Sequence, residues 1–208
     1  MKKNIFITLL LLISSQLLVG QSKANIEEIN RKLEQHTQSL QSIESDFEQV
    51  KHIDIFNEDV ISKGTFLYHK DMKICLDYKT PSPYRMVIAN NRLMTDMGGK
   101  RSVVTLKSNT MMNEMKAMIS ACMTGNLSAI SSDFDLTYKE NAEHYIITVT
   151  PRKSGVSNYI QRIEIYLAKK DMAVTRLTFY ENEQDYTLYK FTNRRFNTLK
   201  NDDPRLAI

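Results

Sequence analysis

Hydrophobic and polar positions along the chain follow two different periods, and the change between them divides it. From residue 25 to 43 the apolar positions Ile26, Ile29, Leu33, Leu40 and Ile43 recur at helical spacing, with Glu27, Glu28, Arg31, Lys32 and Glu34 on the other side. This predicts one amphipathic helix over 25–43, with Asn25 as N-cap and Glu28 closing a capping box. From Asp46 onward the period is two. Ile74, Leu76 and Tyr78 alternate with Lys73, Cys75 and Asp77, and Tyr84, Met86 and Ile88 alternate with Arg85, Val87 and Ala89. Phe134, Leu136 and Tyr138 do the same against Asp135, Thr137 and Lys139. Other strand-like runs are 46–56, 60–69, 92–96, 102–107, 144–150, 158–168, 173–181 and 185–192, separated by turn signals such as Asn90-Asn91, Gly98-Gly99 and Lys169-Lys170-Asp171. About eleven strands result, with connections mostly too short for parallel crossovers. The expected fold is mainly β (α+β): a strongly curved antiparallel sheet in one domain over 25–208.

One stretch breaks the alternation. Between Ser108 and Gly125, Met111, Met115, Met118, Ile119 and Cys122 share a helical face, and Gly125 suits the C-terminal cap. Five of the eleven methionines lie here. Eight strands already close around an interior that side chains can just fill, so about eleven enclose more volume than their own side chains occupy. Helices or a ligand must fill the remainder. Methionine repacks against varied shapes, which suits a binding surface. The same pattern also suits a core helix under a sheet, and periodicity does not separate the two.

The first residues carry a destination. Met1-Lys2-Lys3-Asn4 is basic, the run from Ile5 to Val19 is mostly apolar, and small residues follow at Gly20 and at Ser22-Lys23-Ala24. This is the secretory signal pattern, with cleavage expected after Gly20 or Ala24, so 1–24 is read as a signal peptide. The run is short and interrupted at Ser14-Ser15-Gln16 for a membrane span of about 20 apolar residues. Gln21 stands where a lipidated Cys would have to be. The mature protein is therefore expected to be exported and soluble.

Composition narrows the function classes. The formal charge is +4, but setting aside Lys2, Lys3 and Lys23 leaves 25 Lys and Arg against 24 Asp and Glu. A nearly neutral domain lacks the basic footprint of a nucleic-acid binder. Arg194-Arg195 with Lys190 and Lys200 form a mildly basic region, open to reading as a solvated edge or as a contact for a membrane or anionic partner. The four histidines are scattered without metal-ligand spacing, and His69 beside Lys70 reads as a solvated strand end. No catalytic signature, phosphate-cradling loop or paired-cysteine motif occurs, so neither enzyme activity, cofactor nor metal is expected. Cys75 and Cys122 lie 47 positions apart, and each reads as a small buried hydrophobe whose pairing is undetermined by sequence.

Three segments resemble a known family. Ser45-Asp46-Phe47-Glu48-Gln49-Val50 is similar to an opening helix running into an F-x-Q strand. Gly64 to Pro81 is similar, without gaps, to a pattern of glycine, strand, Arg-Pro pair, aromatic-rich strand and proline. Met86-Val87-Ile88-Ala89 followed by Asn90-Asn91-Arg92-Leu93-Met94 stands where that pattern has an apolar strand, a turn and a Leu-Trp pair. Order and spacing over most of 25–200 resemble the LolA-like periplasmic lipoprotein carriers. The resemblance implies an incomplete antiparallel β-barrel closed by helices, with the methionine-rich helix as lid and a cavity for acyl chains. It also implies an acylated lipoprotein as cargo, an inner-membrane ABC transporter as loader, an outer-membrane acceptor, a periplasmic location and a monomer. The family's lid-latching Arg falls on Lys70 and its Pro on Asp71. Lysine keeps the charge but turns a bidentate clasp into a single-point contact. Aromatic cavity positions of the family fall on Ile74, Leu76 and Met94, and the chain has no Trp. The expected cavity and lid residues are Phe66, Tyr68, Ile74, Leu76, Met86, Met94, Met111, Met115, Met118 and Ile119. Other readings are the same fold dedicated to a glycolipid or acylated pigment precursor, and a sensor or scaffold whose interior is a filled core.

Overall fold

The computed structural model describes residues 27–106, 111–124, 126–130, 133–152 and 155–208; within the second helix, side chains are described from Ala117 onward, and those of residues 128–129 are not. The signal segment and the two expected cap residues, Asn25 and Gly125, lie outside the described residues. Helix α1 spans 27–39. Six strands follow: β1 (Ser42–Ile53), β2 (Glu58–His69), β3 (Lys73–Thr80), β4 (Tyr84–Ala89), β5 (Arg92–Met97) and β6 (Lys100–Thr105). Helix α2 (Met111–Thr124) separates them from β7 (Phe134–Glu140), β8 (His144–Pro151), β9 (Arg162–Ala168), β10 (Val174–Tyr180) and β11 (Tyr186–Phe196).

All eleven strands form one antiparallel sheet in the order β6-β5-β4-β3-β2-β1-β11-β10-β9-β8-β7. The sheet does not close, because β6 and β7 are its two edges, and α2 lies on the connection that carries the chain from one edge to the other. Short turns explain the meander. Asn90-Asn91 and Gly98-Gly99 take left-handed φ at both positions (49° and 57°, 59° and 86°), the geometry that joins adjacent strands through two residues.

The sheet separates two cores. On its inner face, Ile29 and Leu33 of α1 and Met118, Ala121, Cys122 and Met123 of α2 pack with Phe47, Phe66, Ile74, Ile147, Ile163, Ile165 and Leu177. On its outer face a smaller cluster joins Leu67, Cys75, Val87, Ala89 and Met94 to Leu199 and Leu206 of the C-terminal segment. That segment is pinned by Arg205, whose guanidinium lies 2.7 Å from Glu44 and 2.9 Å from Asp203. Cys75 and Cys122 therefore sit on opposite faces and are both free thiols.

Three expectations are corrected here. The first helix ends at residue 39 and not at 43, because the Asn197 side-chain oxygen accepts from the Gln41 and Ser42 N–H groups and Ile43 already pairs with Tyr68 and Phe196 in the sheet. His69 is buried at 6% exposure, with its Nδ1 accepting from the Asp71 N–H at 3.3 Å, because the β2–β3 turn folds back over it. The strand expected over 158–168 starts at Arg162, preceded by a 3-10 turn at Gly155–Asn158.

Candidate functional site

A cavity of about 470 Å³ opens between the sheet and α2. Its walls come from both halves of the sheet: Phe66 on β2, Leu76 on β3 and Met86 and Ile88 on β4 from one side, Leu177 and Phe179 on β10 and Tyr189 and Phe191 on β11 from the other. Ile119 and Met123 of α2 cover it, and Tyr159 and Ile160 border it. Met86 and Leu177 stand on strands five steps apart in the sheet, roughly 24 Å if the sheet were flat. They border one cavity only because the sheet curls, as a sheet of many twisted strands does around its inner core.

The cavity has a polar end and an apolar end. Glu181 and Thr187 line it beside the β10–β11 turn, where the Lys51 ammonium lies 3.2 Å from the Glu181 carboxylate. Tyr159, 59% exposed, stands at the rim. Inward from there the lining is aliphatic and aromatic, apart from the Tyr189 hydroxyl. That hydroxyl is 3.2 Å from the Tyr78 hydroxyl, a contact joining the two halves of the sheet. Burial pushes the Tyr189 phenol well above its ordinary pKa, and the neighbouring Tyr78 adds to the shift. Phe47 stands edge-on to Tyr78 at 5.0 Å and packs on Tyr189 at 5.9 Å. Phe47 reaches this place because residue 64 is glycine: a Cβ there would meet the Phe47 ring at 2.9 Å and the Asp77 carbonyl oxygen at 2.2 Å.

The sequence-derived residues divide into five groups. Phe66, Leu76, Met86 and Ile119 line the cavity. Tyr68, Ile74 and Met118 do not; they are buried at 3% exposure or less in the core where α2 seats on the sheet, with the Tyr68 hydroxyl 3.1 Å from that of Ser120. Met94 is a correction: it lies in the outer cluster under the C-terminal segment, and its inner-face neighbour Leu93 packs against the inner core. The side chains of Met111 and Met115 lie outside the described residues. Lys70 is exposed in the β2–β3 turn, with its backbone N–H donating to the Gln41 carbonyl at 2.8 Å, and among the described residues no ion pair joins it to α2.

Sequence reasoning missed the far wall: Leu177, Phe179, Tyr189 and Phe191, with Met123 above them. The alternation Thr187, Tyr189, Phe191 was visible, but nothing local says that β10 and β11 face β2–β4. Three of the four residues of the basic region pair within the sheet and its turns. Arg195 meets Glu44 at 2.8 Å, Arg194 meets Asp171 at 3.2 Å, and Lys190 meets Glu48 at 3.4 Å.

Among the described residues, no group of three or more His, Cys, Asp or Glu side chains is placed to hold a metal ion, and no helix is long and apolar enough to cross a membrane. No curated protein matches the sequence significantly. Solved structures align with much of the chain. MucB in its complex with MucA from Pseudomonas aeruginosa aligns with 12% identity and a TM-score of 0.50, over 87% of this chain and 61% of that one. The lipoprotein LppX of Mycobacterium tuberculosis aligns with 12% identity and a TM-score of 0.48, over 85% and 97%. A LolA superfamily protein from Nitrosomonas europaea aligns with 8% identity and a TM-score of 0.43, over 84% and 94%. The family model described as outer membrane lipoprotein carrier protein LolA matches residues 38–203, which include all eleven strands and α2, and the chain belongs to that family.

Proposed function

We propose that this chain is a periplasmic carrier, not an enzyme, that takes acyl chains of lipoproteins into the cavity under α2 and ferries them from the inner to the outer membrane. The observation that carries the reading is the cavity: about 470 Å³, walled by aliphatic and aromatic side chains, with polar groups confined to one end and to the Tyr189 hydroxyl. Its size falls within the range of ligand pockets, roughly 300–1,000 Å³. Each methylene moved from water into such a lining is worth about 0.8 kcal/mol. A free acyl chain therefore does not cross an aqueous space in useful amounts, and a carrier must hide it. Ile119 and Met123 form the part of the cover that a cargo has to displace. Loading by an inner-membrane ABC transporter and release to an outer-membrane acceptor belong to the same proposal. The carrier then needs no energy source of its own.

The cavity volume favours a second reading within the same fold. A methylene occupies somewhat less than the ~30 Å³ share of a water in the liquid, so the cavity holds roughly one long acyl chain. A dedicated carrier for a single-chain lipid fits that volume without further opening. Native mass spectrometry on protein taken gently from the periplasm separates the readings. A bound mass matching a triacylated lipoprotein supports the first. A discrete smaller lipid supports the second. An unloaded mass in every preparation, together with no uptake of added lipid, overturns both in favour of a filled-core sensor.

A further inference from the structure

The β1–β2 hairpin runs past its neighbours. Strand β11 stops pairing with β1 at His52 and Tyr186, and β3 stops pairing with β2 at Lys63 and Thr80. Beyond those pairs, residues 58–62 meet only β1, and the chain reverses through a 3-10 turn at Asp54–Phe56. The projecting end carries Ile55 at 84% exposure and Phe56 at 68%, with Val60 and Ile61 half-exposed behind them. Val60 pairs with Lys51 and Ile61 with Val50, so the two point to opposite faces of the hairpin. Single exposed apolar residues are ordinary, but four gathered on one projection mark a contact surface.

Apolar groups on both faces and at the end suit surroundings that close around the tip. A bilayer and a protein cleft both do so, and charge decides between them. Residues 53–61 and the β10–β11 turn at 181–185 hold Asp54, Glu58, Asp59, Glu181, Glu183 and Asp185, and neither segment holds a Lys or Arg. The two segments are tied together. The Asp54 N–H donates to the Asp185 carboxylate at 2.8 Å, and the Lys51 ammonium reaches Glu181 at 3.2 Å. Segments that dip into a membrane flank their apolar residues with Lys and Arg, which meet the anionic lipid surface. This tip brings carboxylates, which that surface repels. A cleft with apolar walls and a rim of Lys and Arg answers both features. Glu181 also lines the polar end of the cavity, so a partner that holds the hairpin stands beside the cavity mouth.

We infer that the β1–β2 hairpin tip is a docking element for a protein whose cleft is apolar within and basic at its rim. Docking here sets that protein against the mouth through which, on the carrier reading, cargo passes; the carrier reading supplies the purpose of the contact and not the surface itself. Photo-crosslinking tests it, with p-benzoylphenylalanine in place of Phe56 in the full chain, irradiated in the chain's own cells. The expected adduct is with one protein, and mass mapping should place it in an apolar segment flanked by Lys or Arg. Asp54→Lys combined with Glu58→Lys should cut the adduct yield about tenfold. Both carboxylates are exposed, so the purified double variant should melt as the parent does and take up palmitoyl lysophosphatidylcholine equally well. Vesicles of phosphatidylethanolamine and phosphatidylglycerol should not float the parent chain. An adduct with phospholipid, with a second copy of this chain, or with a protein segment lacking Lys and Arg overturns the inference. So does a yield that survives the charge reversal, vesicle flotation that Phe56→Ser abolishes, or no adduct at all. Lysophosphatidylcholine uptake absent from parent and variant alike, with the expected adduct present, overturns the carrier reading and leaves the docking element standing.

Discussion

Gly64 shows how much a single residue decides in this fold. Its missing Cβ admits both the Asp77 carbonyl, at 2.2 Å from where that atom would be, and the Phe47 ring at 2.9 Å. Behind Phe47 stands the Tyr78–Tyr189 pair. The carbonyl belongs to the neighbouring backbone and cannot swing aside. Gly64→Ala is therefore expected to cost about 2–3 kcal/mol through overpacking and to lower the melting temperature by roughly 5–10 °C in a thermal scan. An unchanged melting temperature would refute the assignment. The cysteines give a second test. Burial pushes the Cys75 thiol up to about 11 and the Cys122 thiol up to about 12. At pH 8 the Cys75 thiolate is populated at roughly one part in a thousand, and its reactivity falls with it. Iodoacetamide at pH 8 should label neither cysteine in the folded chain and both after denaturation. Mass analysis under non-reducing conditions should show no disulfide between them, since the sheet stands between the two sulfurs.

The C-terminal segment is the element the strand pattern could not announce, and it explains the misplacement of Met94. Ile74, Cys75 and Leu76 on β3 are all buried, and so are Val87, Ile88 and Ala89 on β4, because α2 and the inner core cover one face while Leu199 and Leu206 cover the other. Where both faces are dry, alternation loses its phase, and Leu93 and Met94 compete for the inward position. Elsewhere only one face packs, and the periods of two and 3.6 marked eleven strands and two helices in the right order. The strap is electrostatic as well as apolar. Arg205, then Arg195, hold the Glu44 carboxyl below its usual 4.5, and Arg205 holds that of Asp203 below 3.8. Both carboxyls bind a proton more readily when unfolded. Their stabilisation is complete above the unfolded values near 4.5 and 3.8, and is lost as the pH falls through the lowered folded ones. Arg205→Ala should cost about 1–2 kcal/mol at neutral pH in denaturant melts, and the difference from the parent chain should shrink toward about pH 3. A penalty independent of pH would show that the strap holds by Leu206 and Leu199 alone.

At the scale of the molecule the cavity exists because two meanders of the sheet curl until β2–β4 face β10 and β11. No local window of sequence contains that relation, so half the lining was legible as alternation yet not as a wall. A cavity formed by the whole fold couples its occupancy to global stability. A single-chain phosphocholine at about a hundred times its dissociation constant should stabilise the chain by about 2.7 kcal/mol, a shift of roughly 5–10 °C in melting temperature. Ile119→Lys separates this from surface adsorption. Ile119 is half-buried on α2, so a lysine there can lay its stem along the helix and carry its ammonium toward water without unfolding the core beneath Met118. The variant should melt within a few degrees of the parent when unloaded and lose the lipid-induced shift, because a charge at the cover opposes an apolar occupant. A shift retained in full by Ile119→Lys would place the lipid somewhere other than under α2.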